Sequence, residues 1–288
     1  MNPTWNHEMP RLMGPWMGQG LPQNGPTKFC PEVLATENPV CGITFSPAGD
    51  EAYFTWNRIS ANSADLMTTR MKNGVWMRPK SAFVNSDQID NDITLSPDGK
   101  RLCWRSWRPL PGSSEPEEGS HLWAADRQDG AWSEAFPIRC DGAVQTGWYP
   151  SFARKGALYF SARSSEGTYK VVRAQRTEDQ YGAVETLIDG MGSGGDICVH
   201  PEERFLIVTR FSLPRFQGIG NLTISFPQSD GVWTPLKELG PAINTEKLEY
   251  CATISADGEK LFFCRMDRST RRAQTYWVSA SSIVHVGA

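Results

Sequence analysis

Apolar and polar positions alternate in short runs along this chain, and the runs come in pairs separated by a turn. Gly42–Trp56 (GITFSPAGDEAYFTW), Asp92–Ser106 (DITLSPDGKRLCWRS), Tyr149–Ala162 (YPSFARKGALYFSA), Asp196–Arg210 (DICVHPEERFLIVTR) and Cys251–Arg265 (CATISADGEKLFFCR) share this plan. Each reads as strand, tight turn, strand, because a period of two puts every second side chain on one face. The turns begin at Ser46, Ser96, Ala153, His200 and Ser255, so the unit recurs every 47–57 residues. A third apolar run follows in every unit (ADLMTTRM, SHLWAADR, TYKVVRAQ, GNLTISFP and QTYWVSAS). In four units a turn with glycine then leads to a fourth run: NGVWMRPKSAFV, DGAWSEAFPI, QYGAVETLI and DGVWTPLKEL. Asn-Gly and Asp-Gly are hairpin signals there, since a type I′ turn needs positive φ at both central residues. No stretch of a dozen residues keeps a 3.6-residue period, so helix content is predicted to be very low.

A four-strand unit repeated at this spacing predicts a propeller. The fifth unit lacks its fourth strand before the chain runs out at Ser281–Ala288, while Thr27–Ala35 (TKFCPEVLA) resembles the missing run. Placed there, it completes the last blade and closes the ring, which removes exposed sheet edges. The predicted fold is all-β: a five-bladed β-propeller of four-stranded blades over residues 27–288, closed by an N-terminal strand. An irregular N-terminal arm occupies residues 1–26.

SPDGKRLCW, HPEERFLIV and SADGEKLFF, with DGxW before the outer strand, resemble the Pro-Asp-Gly (WD-like) propeller repeats of TolB-like proteins. The resemblance runs from about Thr27 to Val286 and departs from the consensus turn in blade three (FARKG) and blade four (HPEER). It implies the fold. Such propellers serve as binding modules, interaction platforms and enzymes, so function must be read from the site.

Composition narrows the classes. The counts of 26 Gly, 20 Pro and 11 Trp suit many short strands and turns. A net charge of −3, from 29 Lys+Arg against 32 Asp+Glu, gives no bulk grip on nucleic acid or an anionic membrane. Met1–Gly25 has no apolar h-region or A-x-A site and is broken by prolines, so it reads as neither signal peptide nor span. The seven cysteines are odd in number and contain no CxxC pair, against a disulfide framework or a zinc ribbon. A cytoplasmic protein with reduced thiols is expected.

The first strand of each blade should line the central channel. Two positions before each turn stand Thr44, Thr94, Ser151, Cys198 and Thr253, a small ring suited to a crowded axis. Four positions before stand Gly42, Asp92, Tyr149, Asp196 and Cys251, a varied ring that suggests a shaped site. One step further out, Asp90 and Glu249 should join it. Loops between second and third strands carry Trp56 and Arg58, Trp107 and Arg108, Arg163, Arg210 and Arg265, with Trp148 beside the mouth. Asp92 and Asp196, from non-adjacent blades, are the predicted acid and base, with Tyr149 assisting. The arginines would neutralise substrate charge, the tryptophans would stack on it, and Asp90, Glu249 and Cys251 would complete its binding.

The predicted function is an enzyme using hydrolase- or lyase-type acid/base chemistry on a small polar or glycan-like molecule at the tunnel mouth. A variant is acid-initiated chemistry on an apolar substrate, which needs a largely dry pocket. The alternative is a non-catalytic propeller binding a sugar, a small molecule or a protein segment. No cofactor is expected. Calcium on Asp90, Asp92 and Asp196 is the lesser option, since Asp-Asn-Asp in a strand lacks the loop calcium uses. The sequence has no GxGxxG after a strand, GxxxxGK[ST], HExxH or GxSxG.

Overall fold

The computed structural model describes residues 9–36, 38–58, 62–113, 119–178, 180–192, 195–211 and 220–284. Five sheets form a ring, and the inner strands touch in the order one to two, two to three, three to four, four to five and five back to one. Blade one is built from Val40–Phe45, Glu51–Arg58, Ser63–Lys72 and an outer Lys80–Ser81. Blade two has Asp90–Leu95, Arg101–Ser106, His121–Gln128 and an outer Phe136–Pro137. Blade three has Trp148–Phe152, Leu158–Arg163, Tyr169–Thr177 and a long Gln180–Ile188, edged by the small hairpin Arg139–Cys140/Ala143–Val144. Blade four has Ile197–Val199, Leu206–Phe211, Gly220–Ser225 and Lys237–Glu238. Blade five has Leu248–Ile254, Lys260–Asp267 and Arg272–Ser279.

Thr27–Lys28 closes blade five, with Thr27 opposite Trp277 and Lys28 opposite Tyr276. This strand is shorter than the sequence suggests. Cys30 takes a left-handed conformation and Pro31 starts a one-turn helix, Pro31–Leu34. Proline suits the first helical turn because its missing N–H would have no partner there.

Turn chemistry explains why each unit folds back. In blade two, Ser96 Oγ donates to Asp98 Oδ1 at 2.6 Å and accepts the Arg101 amide at 2.9 Å. Gly99 closes the turn at φ 73°, a left-handed conformation that a side chain would disfavour. Blades one and five repeat this with Ser46/Asp50 and Ser255/Asp257.

Aromatic side chains then fix one blade on the next. The Trp132 indole N–H donates to Tyr53 OH at 3.2 Å, joining blades two and one. Trp233 packs edge-on against Tyr159 at 6.5 Å, joining blades four and three. At the seam between blades five and one, Phe29 sits 5.1 Å from Phe262 and 5.7 Å from Phe45.

The described part of the arm reinforces that seam on the face opposite the tunnel mouth. Trp16 lies 4.9 Å from Phe45 and 6.3 Å from Phe262, with the Lys260 ammonium 4.6 Å from its ring. Its indole lies over Gly49, where a Cβ would come within 2.7 Å of the ring. The Trp76 indole N–H donates to the Gly14 carbonyl at 2.7 Å, tying the arm to blade one. Removing the half-buried Trp16 ring as Trp16→Ala should cost about 2 kcal/mol of stability. Urea unfolding should show this as a lower midpoint.

Candidate functional site

Simple alternation does not survive along the inner strands, because four of them carry a β-bulge. The register shifts between Cys41 and Thr44, between Asn91 and Thr94, between Trp148 and Ser151, and between Tyr250 and Thr253. At each shift one residue is left-handed: Gly42 (φ 61°), Asp92 (57°), Tyr149 (51°) and Cys251 (51°). A bulge places two residues opposite one and reverses which face the preceding residues use. Cys41, Asn91 and Tyr250 therefore face the tunnel, while Asp90 and Glu249 turn away from it. The glycine at position 42, inside a strand, was the available sequence signal for this device.

The tunnel is a cavity of about 780 Å³. Gly42, Asp92, Tyr149 and Cys251 line its upper part, and the ring Thr44, Thr94, Ser151, Cys198 and Thr253 lines the middle. Phe45, Leu95, Phe152, Val199 and Ile254, each one residue past that ring, reach its lower wall. Arg58, Trp107, Arg268 and Arg271 stand at the mouth.

Of the predicted acid/base pair, Asp92 lines the cavity, whereas Asp196 lies just behind the wall and is 2% exposed. Asp196 Oδ2 accepts the Cys251 amide at 3.0 Å. Burial raises its carboxyl well above the usual range, and the nearby charge of Asp92 raises it further against the lowering effect of that amide. Dry and in the field of Asp92, Asp196 is the carboxyl disposed to hold a proton. Asp92 is itself held by its amide, which donates to Thr55 Oγ1 of blade one at 3.1 Å.

Thiols and phenols complete this wall. Cys41 Sγ donates to Tyr250 OH at 3.3 Å, and Cys251 Sγ to Tyr149 OH at 3.9 Å. Cys264 Sγ donates to the Val40 carbonyl at 3.2 Å. Burial keeps Cys251 and Tyr250 protonated, with their titrations pushed far up. All seven cysteines are free thiols.

Several residues expected to contact a ligand are engaged by partners within the protein. Asp90, 1% exposed, accepts the Ser86 amide at 2.6 Å and pairs with Arg108 at 2.9 Å. Arg108 is held between Trp104 and Trp123, 5.3 and 5.0 Å from their ring centres. Glu249 is fully buried, accepts Thr245 Oγ1 at 2.7 Å and pairs with Arg265 at 2.7 Å. The same motif serves both places. VNSDQID (84–90) and INTEKLE (243–249) put an asparagine on the previous blade's backbone, Asn85 on Leu66 and Asn244 on Leu222, with 2.8–3.0 Å bonds. Asp90 thus cannot join Asp92 and Asp196 around calcium. Among the described residues, no group of three or more His, Cys, Asp or Glu is disposed to hold a metal ion.

The rim aromatics are partly engaged as well. Arg105 stacks between Trp107 (3.9 Å) and Trp148 (4.9 Å), and Trp148 meets Tyr169 at 5.4 Å, with Arg163 over that ring at 5.5 Å. Only Trp107 of these reaches the cavity. Trp56 also lies outside it, against Arg58, which pairs with Asp65 at 3.0 Å. Arg210 is exposed and away from the lining.

Compared with known proteins, the chain matches no protein-family model and no curated protein. Solved structures do resemble it. A protein described as a putative TolB from Agrobacterium tumefaciens superposes with a TM-score of 0.55 at 12% identity, covering 81% of this chain and 72% of that one. The fold is that of a TolB-like propeller. An alpha-L-arabinofuranosidase from Lactobacillus brevis gives a TM-score of 0.56 at 10% identity, covering 85% and 91%. A Dyadobacter fermentans protein of unknown function gives 0.53 at 10%, covering 93% and 86%. Propellers of different kinds, a putative TolB and an arabinofuranosidase, are thus among this chain's neighbours, and identities this low carry the fold alone. No helix among the described residues is long and apolar enough to cross a membrane.

Two substitutions should move stability in opposite directions. A carboxyl whose folded pKa is raised favours the fold when protonated, so its stabilisation is full below about pH 4 and is lost as pH rises through the folded value. Asp196→Asn keeps an oxygen for the Cys251 amide and should raise the melting temperature at pH 7 but not at pH 4. Glu249→Ala leaves Arg265 without its buried partner and should cost about 3 kcal/mol at neutral pH. Thermal scans across pH check both.

Proposed function

We propose that the tunnel is the active site of an enzyme working by proton transfer on a small organic molecule. The observation carrying this reading is that Asp92, on the cavity wall, and Asp196, dry behind it, share one electrostatic field from non-adjacent blades. Asp92 is the group that would touch substrate, as general base or, after receiving the shared proton, as general acid. Asp196 is the positioning residue that would hold the proton. Tyr149 and Cys251 would add weak hydrogen-bond donors. Their left-handed backbones support the reading, since large side chains are retained at bulges where blade one uses glycine. Acid/base hydrolysis or elimination on a polar or glycan-like substrate fits a carboxyl pair. The apolar lower tunnel, with Phe45, Leu95 and Phe152, equally suits acid-initiated chemistry on a less polar body.

The second reading, a non-catalytic binder, draws on the TolB neighbour, which shares this fold. The two part on turnover. Wild-type protein should convert a member of a panel of chromogenic arabinofuranosides, other aryl glycosides and carboxylate esters, and Asp92→Asn should lose about 10²–10⁴-fold in kcat with substrate still bound. Asp196→Asn should flatten one limb of the pH–rate profile as well as slow the reaction. Retained turnover in Asp92→Asn overturns the catalytic assignment. Saturable binding without conversion across the panel favours the binder.

A further inference from the structure

The tunnel's charge and depth say more about its ligand. We infer that it accepts an organic anion with a largely apolar body, the anionic group at the arginines of the mouth and the body pointing down toward Asp92. This rests on the tunnel being the ligand site, as proposed above. Among the described lining residues the cations are Arg58, Arg268 and Arg271, and the carboxylate is Asp92. Arg58 is paired with Asp65 at 3.0 Å, so Arg268 and Arg271 set the sign: two positive charges against Asp92, in a chain whose net charge is −3.

The cations are also grouped. Arg58 ends the second strand of blade one, and Arg268 and Arg271 lie in the turn after Lys260–Asp267 of blade five. These blades adjoin, so the arginines occupy one side of the mouth. Arg58 is steadied there by Ser63 Oγ at 2.8 Å. Asp92 lies inside. Val40 is opposite Trp56 and Leu248 opposite Met266, so Arg58 and Arg268 stand two residues above the start of the inner strands, while Asp92 stands two below. Four strand residues at about 3.3 Å each put the backbone of Arg58 roughly 13 Å above that of Asp92 along the tunnel.

That span has an apolar side of Pro39, Ile89, Leu248, Met266 and the ring of Tyr250, beside the polar Asn57, Asn62, Ser63 and Asn91. An apolar body packs against that side without leaving polar groups unpaired, and the asparagines leave room for a few polar atoms on it. A fully apolar ligand would leave the cationic side of the mouth unused. Guanidinium groups bind carboxylate, sulfonate and phosphate oxygens in pairs, so the class is an amphipathic organic anion.

Two dyes with one aromatic body separate the possibilities: anilinonaphthalene sulfonate, an anion, and phenylnaphthylamine, which is neutral. The intact protein should bind one sulfonate dye with a fluorescence rise and should compete it out with a medium-chain fatty acid. Arg268→Ala/Arg271→Ala changes two exposed side chains and should weaken the sulfonate about tenfold or more while leaving the neutral dye within about twofold. Thr94→Phe, or Thr94→Leu should the larger residue not fold, should displace both dyes by filling the tunnel's middle. Equal sulfonate affinity in the double arginine variant overturns the anion assignment. Both dyes bound undiminished in the plugged variant overturns the location. Asp92→Asn separates this from the catalytic reading: lost turnover with the dye still bound supports both, whereas intact turnover with charge-selective binding removes only the acid/base role.

Discussion

The structure depends on how the ring satisfies the inner edges of its blades. An inner strand has a partner on one side only, and its other row of amides and carbonyls faces the axis, where the next blade is too twisted away to form a ladder. Side-chain hydroxyls of the small ring do this work. Thr44 Oγ1 accepts the Leu95 amide of blade two at 3.3 Å, and Ser151 Oγ accepts the Val199 amide of blade four at 3.0 Å. Thr253 Oγ1 donates to the Ile43 carbonyl, crossing the seam from blade five to blade one. Small residues stand at these positions because the axis is crowded. Hydroxyls are chosen among small residues because the backbone of the neighbouring blade needs a partner.

The bulges follow from the same constraint. Five inner strands converging on an axis must turn sharply at the mouth, and a bulge increases local bend and twist. Its left-handed residue points its own amide outward, and that amide also needs an acceptor on the blade before. Thr55 supplies it for Asp92, and Asp196 supplies it for Cys251. The side chain at each bulge is then free to differ from blade to blade without altering the ring, which is why glycine, aspartate, tyrosine and cysteine occupy equivalent places. A uniform scaffold thereby presents a varied wall.

This division explains what could be read from the chain alone. The five units, their order and the closing strand were legible because they rest on local chemistry: Ser96/Asp98/Gly99-type turns, period-two runs and Asn-Gly or Asp-Gly hairpins. Ring closure by Thr27–Lys28 followed from counting strands. The orientation of Asp90 and Glu249 was not legible, since it is set by positive φ at Asp92 and Cys251, residues that seldom adopt it, and only Gly42 hinted at the bulge. The pairing of Arg108 and Arg265 with these acids was not legible either, because it depends on the same orientation. Cys41, Asn91 and Tyr250 entered the site by the same reversal. What escaped was decided by one torsion per blade.

Three buried acids allow a comparison of purpose. Asp90 and Glu249 each have an arginine, a Ser or Thr hydroxyl and a backbone amide, a set that satisfies a charged carboxylate. Asp196 is as deeply buried, but the groups acting most strongly on it are an amide, a second carboxyl and a thiol. Its structural task, accepting a bulge amide from the next blade, is done for Asp92 by the hydroxyl of Thr55, with no charge to desolvate. For that one hydrogen bond a neutral acceptor would avoid the cost of burying a charge. An ionisable group placed in the field of a carboxylate on the cavity wall is the feature on which the proposed proton transfer draws.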